Sequence, residues 1–125
     1  MATVKKVLIA EDEPQLNKML AEKFSNEGFI TYMATDGEEA LTLSLKEHPD
    51  VILLDILMPK MDGIAMLKKL RDDEWGKTAK VMLLTNLKSS ERVLEGVQLG
   101  VKEYFVKSDW KLGDLVKKVT EKIGT

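Results

Sequence analysis

Three carboxylates, one hydroxyl and one amine stand at corresponding places in this chain. Glu11 and Asp12 adjoin the run Val7-Leu8-Ile9-Ala10, Asp55 follows Leu53-Leu54, Thr85 follows Leu83-Leu84, and Lys107 follows Phe105-Val106. Three carboxylates gathered in one place repel one another, and a hard divalent cation that prefers oxygen removes the repulsion. Mg²⁺ commonly takes one or two carboxylates, waters and a phosphate oxygen. A hydroxyl donor and a mobile ammonium suit the other oxygens of a doubly charged phosphoryl group. Each residue alone has a plainer reading. An Asp after a strand is often a turn residue or a helix cap, a Thr at a strand end is ordinary β-branched filler, and a terminal Lys is usually a solvated charge. Joint placement decides between the readings, and the surrounding elements set that placement.

Short apolar runs recur at Val7–Ala10, Phe29–Ala34, Val51–Leu54, Val81–Leu84 and Tyr104–Val106, with helical patterns between them. The first, third and fourth are apolar at successive positions, as expected of parallel strands covered on both faces. Leu16, Met19, Leu20 and Phe24 have helical spacing, with Pro14 suited to a first turn and Gly28 to the position past the helix end. Asp36 with Glu39 resembles a capping box, and Pro49 closes the stretch that follows. A third helix runs from about Gly63 with Ile64, Leu67 and Leu70 on one face, and a fourth covers roughly 90–99 and stops at Gly100. The last carries Leu112, Leu115, Val116, Val119 and Ile123. Five strands alternating with five helices predict an α/β doubly wound fold. This is a five-stranded parallel sheet with helices on both faces, a flavodoxin-like three-layer sandwich formed by residues 1–125 as a single domain. Ligands in such sheets bind outside the carboxyl ends of the strands, where the five residues lie.

Composition narrows the chemistry further. There is no Cys, and His48 is the only His, so thiolate sites are excluded and imidazole chemistry has almost no material; carboxylates must carry any metal. A net charge of −2 gives no electrostatic footprint for direct nucleic-acid or anionic-membrane binding, and no apolar run approaches bilayer-spanning length. Residues 1–6 are not followed by the long apolar region of a signal peptide, which favours a cytoplasmic location.

The segments Val7-Leu8-Ile9-Ala10-Glu11-Asp12-Glu13-Pro14, Pro49 to Gly63 (with Asp55-Ile56-Leu57-Met58-Pro59-Lys60-Met61-Asp62-Gly63) and Gly100 to Lys107 resemble, in order, the pattern of response-regulator receiver domains of two-component signal transduction. The resemblance implies that Asp55 is the phosphoacceptor, that Asp12 and Asp55 bind Mg²⁺ directly, that Glu11 acts mainly through metal-bound water, and that the Leu57 backbone carbonyl is a further ligand. It implies that Thr85 reaches toward the phosphoryl group on activation, that Lys107 pairs with it, and that Tyr104 is the switch aromatic that turns inward. The donor would be a sensor histidine kinase or phosphotransfer protein, and the output a surface for a downstream protein; a phosphorylation-linked dimer is compatible with it. Such a domain is no conventional enzyme, since it takes its own phosphoryl group from phosphohistidine or small phosphodonors and loses it by hydrolysis. Leu57 and Leu87 resemble the positions that flank the hydrolytic water. Both are apolar, and slow self-dephosphorylation is expected.

Two residues depart from the family. Ser108 follows Lys107 where the family usually has a cis proline, and a cis bond before a non-proline residue costs about 2.5–4 kcal/mol, so a trans Lys107–Ser108 peptide is expected. Asn86 occupies a position that is usually small. These departures favour one competing reading, a receiver fold that binds partners regardless of phosphorylation, whereas retention of all five site residues argues against it. A haloacid-dehalogenase-like phosphatase expects an acidic residue two beyond the nucleophile, where Leu57 stands. A flavodoxin-type cofactor protein expects a Ser/Thr/Gly-rich loop after the first strand, which is lacking. Trp75 and Trp110 read either as contact anchors or as partly buried core. Lys88, Arg92, Lys111, Lys117, Lys118 and Lys122 read as a partner face or as solvated helix charges.

Overall fold

The computed structural model describes residues 4–85, 90–107 and 111–123. The elements run β1 (Lys6–Ala10), α1 (Pro14–Asn26), β2 (Ile30–Ala34), α2 (Gly37–Glu47), β3 (Val51–Asp55), α3 (Gly63–Arg71), a 3₁₀ turn (Gly76–Thr78), β4 (Val81–Thr85), α4 (Ser90–Gln98), β5 (Glu103–Val106) and α5 (Leu112–Ile123). All strand pairs are parallel, in the order β2-β1-β3-β4-β5. The expected doubly wound sheet is present, and the three strands with unbroken apolar runs occupy its centre. β3 and β4 are buried throughout, whereas the edge strands β2 and β5 are only partly covered.

Strand residues alternate between two cores because successive side chains point to opposite faces. Leu8, Ala10, Ile52, Leu54 and Leu83 pack with Ala40, Met66, Leu67 and Leu70 from α2 and α3. Val7, Ile9, Leu53, Met82 and Leu84 pack on the other side with Leu20 and Phe24 from α1 and Leu115, Val119 and Ile123 from α5. Burying a side chain of this size contributes about 1.5–3 kcal/mol, so both layers are needed to hold the central strands.

Local signals behave as their chemistry requires. The Asp36 carboxylate accepts the Glu39 N–H at 2.8 Å while Glu39 reaches back to the Thr35 N–H at 3.0 Å, and Asp62 caps α3 by accepting the Ala65 N–H at 2.8 Å. Gly28 follows α1 with φ of +94°, the left-handed conformation that a side chain resists. Phe29 belongs to that helix end rather than to β2. Its N–H reaches the Phe24 carbonyl at 3.0 Å and its ring meets the Phe24 ring edge-on at 5.4 Å. Met19, expected on the core face of α1, is half exposed, and Asn17 and Ala21 take the buried stripe with Leu20 and Phe24. Trp75 is partly buried against the core and stacks on His48 at 4.3 Å, which answers the alternatives for that residue in favour of packing; Trp110 lies outside the described residues.

Arg71, at the end of α3, donates to the carbonyls of Leu99 (2.6 Å), Gly76 (2.7 Å) and Ala79 (2.8 Å), tying the exit of α4 to the 3₁₀ turn. At the entrance of α4, Arg92 pairs with Asp62 at 2.9 Å. Burial works against the Asp62 charge, but the Ala65 N–H and the Arg92 guanidinium outweigh it and hold this carboxyl below the ordinary range.

Candidate functional site

The strand order reverses direction between β1 and β3, since β2 lies on one side of β1 and β3, β4 and β5 on the other. A crevice at such a switch point, beyond the carboxyl ends of the strands, is where this class of sheet binds ligands. Ala10 is in register with Leu54, so the next residues along, Glu11 and Asp55, emerge side by side. Carboxylate oxygens of Glu11, Asp12 and Asp55 lie within 4.8 Å of one another. Glu11 and Asp55 are buried, and Asp12 is exposed at the rim.

Lys107 closes the opposite side. Its ammonium contacts Glu11 Oε1 and lies 3.2 Å from Asp55 Oδ2. The backbone N–H of Lys107 donates to the Thr85 carbonyl at 2.6 Å, which fixes the ends of β4 and β5 together and brings the buried Thr85 to the same edge. Gly63 is required by close approach, because a Cβ there would overlap the Asp55 carbonyl; its N–H instead donates to the Ile56 carbonyl at 2.8 Å. The turn after Asp55 is thereby folded back against β3.

Electrostatics follow from this crowding. Burial first, and the Glu11 charge second, push Asp55 up to about 7, with Lys107 pulling the other way. Burial alone would lower the Lys107 pKa, but its hydrogen bond to Glu11 and the charges of Asp55 and Glu11 outweigh that and raise it, so the ammonium stays charged. The cluster carries more negative charge than one lysine can balance. Its donors are hard oxygens, and Glu11 Oε1 has no hydrogen bond beyond its ion pair with Lys107 among the described residues, so the set fits a divalent cation such as Mg²⁺.

The remaining expected residues sit around this centre. Leu57 is exposed in the turn after β3, and Tyr104 is half exposed on β5. Asn86, Leu87, Lys88 and Ser108, and with Ser108 the state of the Lys107–Ser108 peptide, lie outside the described residues. Of the cationic group, Arg92 is engaged with Asp62 and Lys122 lies 3.8 Å from Glu103, whereas Lys111, Lys117 and Lys118 are exposed. Sequence reasoning missed Asn17. It is fully buried on α1 and donates to three backbone carbonyls at the ends of β1 and β2; a polar residue on an otherwise apolar helical stripe was the signal.

Residues 7–120 match the family described as "Response regulator receiver domain". "Sporulation initiation phosphotransferase F" of Bacillus subtilis is 34% identical over 102 residues, covering 82% of this chain and 81% of that protein. "Probable transcriptional regulator ycf27" of Guillardia theta is 39% identical over 107 residues, covering 86% of this chain and 41% of that protein. The Francisella response regulator 1452 receiver domain superposes with a TM-score of 0.85 at 34% identity, over 95% of this chain and 96% of that one. The chain spans between 23% and 42% of the length of the first three curated relatives it matches. Among the described residues no helix is long and apolar enough to cross a membrane.

Proposed function

The chain belongs to the response regulator receiver domain family, and from that premise we propose that it accepts a phosphoryl group onto Asp55 in a Mg²⁺-dependent reaction and so switches a partner-binding surface. The observation that carries this reading is the buried Glu11–Asp12–Asp55 cluster faced by the Lys107 ammonium at the switch point of the sheet. A carboxylate is a competent nucleophile for phosphoryl transfer, which asks of the protein positioning and charge neutralisation more than covalent machinery.

An Asp55 oxygen attacks the phosphorus of a phosphohistidine on a sensor kinase or phosphotransfer protein. The P–O bond forms, the P–N bond breaks, and the departing imidazole takes up a proton. Mg²⁺, when bound, supplies the positive charge that lets a phosphoryl dianion approach three carboxylates. Asp12, Asp55 and the Leu57 carbonyl would hold it, with Glu11 acting mainly through its water. Lys107 exchanges its pairing with Asp55 for a phosphoryl oxygen, and Thr85 contributes a hydroxyl to another. The added charge, up to about −2 with three acceptor oxygens, rearranges the ends of β4 and β5, and the half-exposed Tyr104 turns in behind Thr85. A cytoplasmic location, where sensor kinases and downstream proteins are met, accords with this role.

Intact mass after incubation with a small-molecule phosphodonor tests the reading. One phosphoryl group should be gained with Mg²⁺ and none with chelator or in Asp55→Asn. Equal gain in that variant or in chelator overturns it. A surface that binds its partner with the same affinity before and after phosphorylation would favour the phosphorylation-independent interaction module instead.

A further inference from the structure

Asn17 occupies a position that helical packing assigns to an apolar residue. It shares the buried stripe of α1 with Leu20, Ala21 and Phe24 at i+3, i+4 and i+7, and its side chain is fully buried. Around its amide nitrogen stand three backbone carbonyls, Glu11 O and Ala34 O at 2.9 Å and Ile9 O at 3.3 Å. Carbonyl oxygens only accept, so these neighbours fix the amide with its nitrogen toward them. The other end, Oδ1, is buried with no hydrogen-bond partner among the described residues. An orphaned buried acceptor costs free energy that an apolar side chain of similar size would not incur. Packing therefore does not explain the residue, and what its donor face holds does.

That face grips the backbone of the acidic pair. Ala34 O accepts from both Asn17 and the Glu11 N–H, the latter at 3.0 Å, while Glu11 O accepts from Asn17. Glu11 is thus held at its N–H and at its carbonyl, and its carboxylate is steadied in turn by the Glu13 N–H at 2.9 Å. The carbonyl of Glu11 is half of the peptide bond that leads into Asp12, so the same contact sets where the second carboxylate starts. We propose that Asn17 is a positioning residue for the phosphorylation site, holding the Glu11–Asp12 backbone so that both carboxylates address one cation. This rests on the reading of the site as a Mg²⁺-dependent phosphoryl acceptor.

The test is Mg²⁺ binding by calorimetry to the wild type, Asn17→Leu, Asn17→Asp and Phe24→Leu. Outer-shell partners of metal sites typically change affinity 10–100-fold, so both Asn17 variants should bind Mg²⁺ about tenfold more weakly or worse. Phe24→Leu, on the same stripe, loosens the packing of α1 without touching the donors, and its affinity should match the wild type. Unchanged affinity in the Asn17 variants, or equal weakening in Phe24→Leu, overturns the proposal. A second readout needs no variant and covers the case in which they do not fold. In ¹⁵N-labelled wild type, the Asn17 side-chain amide and the Glu11 and Asp12 backbone amides should shift together on Mg²⁺ titration, with a common midpoint, and a stationary Asn17 amide refutes the link. Should the wild type bind no Mg²⁺, the functional reading falls with it. Should it bind Mg²⁺ with Asn17 uninvolved, only the positioning role falls.

Discussion

Replacing Asp55 by Asn should make the metal-free chain increasingly more stable than the wild type as pH rises. Asp55 titrates at about 7 in the folded chain against an ordinary value of 3.8, so between those values the folded state binds more protons than the unfolded one. Stability then falls with rising pH across that window and levels off above it, where both states are ionised. Integrated from pH 5 to pH 8, the loss from this one group is roughly 2–3 kcal/mol. Asn cannot ionise and escapes it. Titrating groups away from this cluster are common to both proteins and largely cancel in the difference. Urea unfolding followed by circular dichroism, in chelator at pH 5, 6, 7 and 8, should therefore show the Asn variant pulling ahead by a midpoint difference of about 2 M, taking a slope of 1–1.5 kcal/mol/M. Saturating Mg²⁺ should close the gap, because it binds the folded wild type. A gap that stays constant with pH, or shrinks as pH rises, would refute the idea that burial and the Glu11 charge govern Asp55.

Lys107→Met leaves two buried carboxylates without their cation; it should cost about 3–5 kcal/mol in the metal-free chain by urea unfolding and raise the Asp55 midpoint above 7 by NMR titration. Arg71→Leu strands three carbonyls and should lower stability by roughly 2–3 kcal/mol, with Arg71→Lys recovering only part of it because an ammonium lacks the planar fork. Asp36→Ala removes a helix cap and should cost about 1 kcal/mol in the same assay. Exposed Leu57 cannot orient a water by hydrogen bonding, so phosphoryl loss followed by mass should be slow in the wild type and faster in Leu57→Asn and Leu87→Gln, most of all in the pair; equal or slower loss in both would mean that these side chains do not gate the water.

The parts of this chain legible in its sequence are those in which one physical effect dominates. Unbroken apolar runs at 7–10, 51–54 and 81–84 announced the two-sided central strands, and the alternation of strands and helices fixed which ends would carry Glu11, Asp12, Asp55, Thr85 and Lys107. Helix faces were read less well where side-chain size competes with chain geometry. Met19 looked like core because it is large and suitably spaced, but α1 turns Leu20, Ala21 and Phe24 to the sheet together with Asn17, whose amide bonds the ends of β1 and β2. Phe29 looked like strand by propensity and is claimed by the helix before it. Pairings across the chain, such as Arg71 with Leu99 and Arg92 with Asp62, have no local signature at all, since their value exists only once distant segments meet.

Those two arginine contacts have a mechanical consequence for α4. Its exit is tied to α3 by one bond, from Arg71 to the Leu99 carbonyl, the other two bonds of that guanidinium going to the 3₁₀ turn, while its entrance carries the Arg92–Asp62 ion pair between side chains about one-third exposed. The nine residues of α4 make an arm about 13 Å long, so a tilt of roughly 10° about Leu99 and Gly100 carries the entrance through some 2 Å, enough to part Arg92 from Asp62. The positive φ of Gly100, at +88°, stands at the pivot. Whatever force reaches α4 from the loop after Asp55 therefore acts at the far tip of the arm, where leverage is greatest.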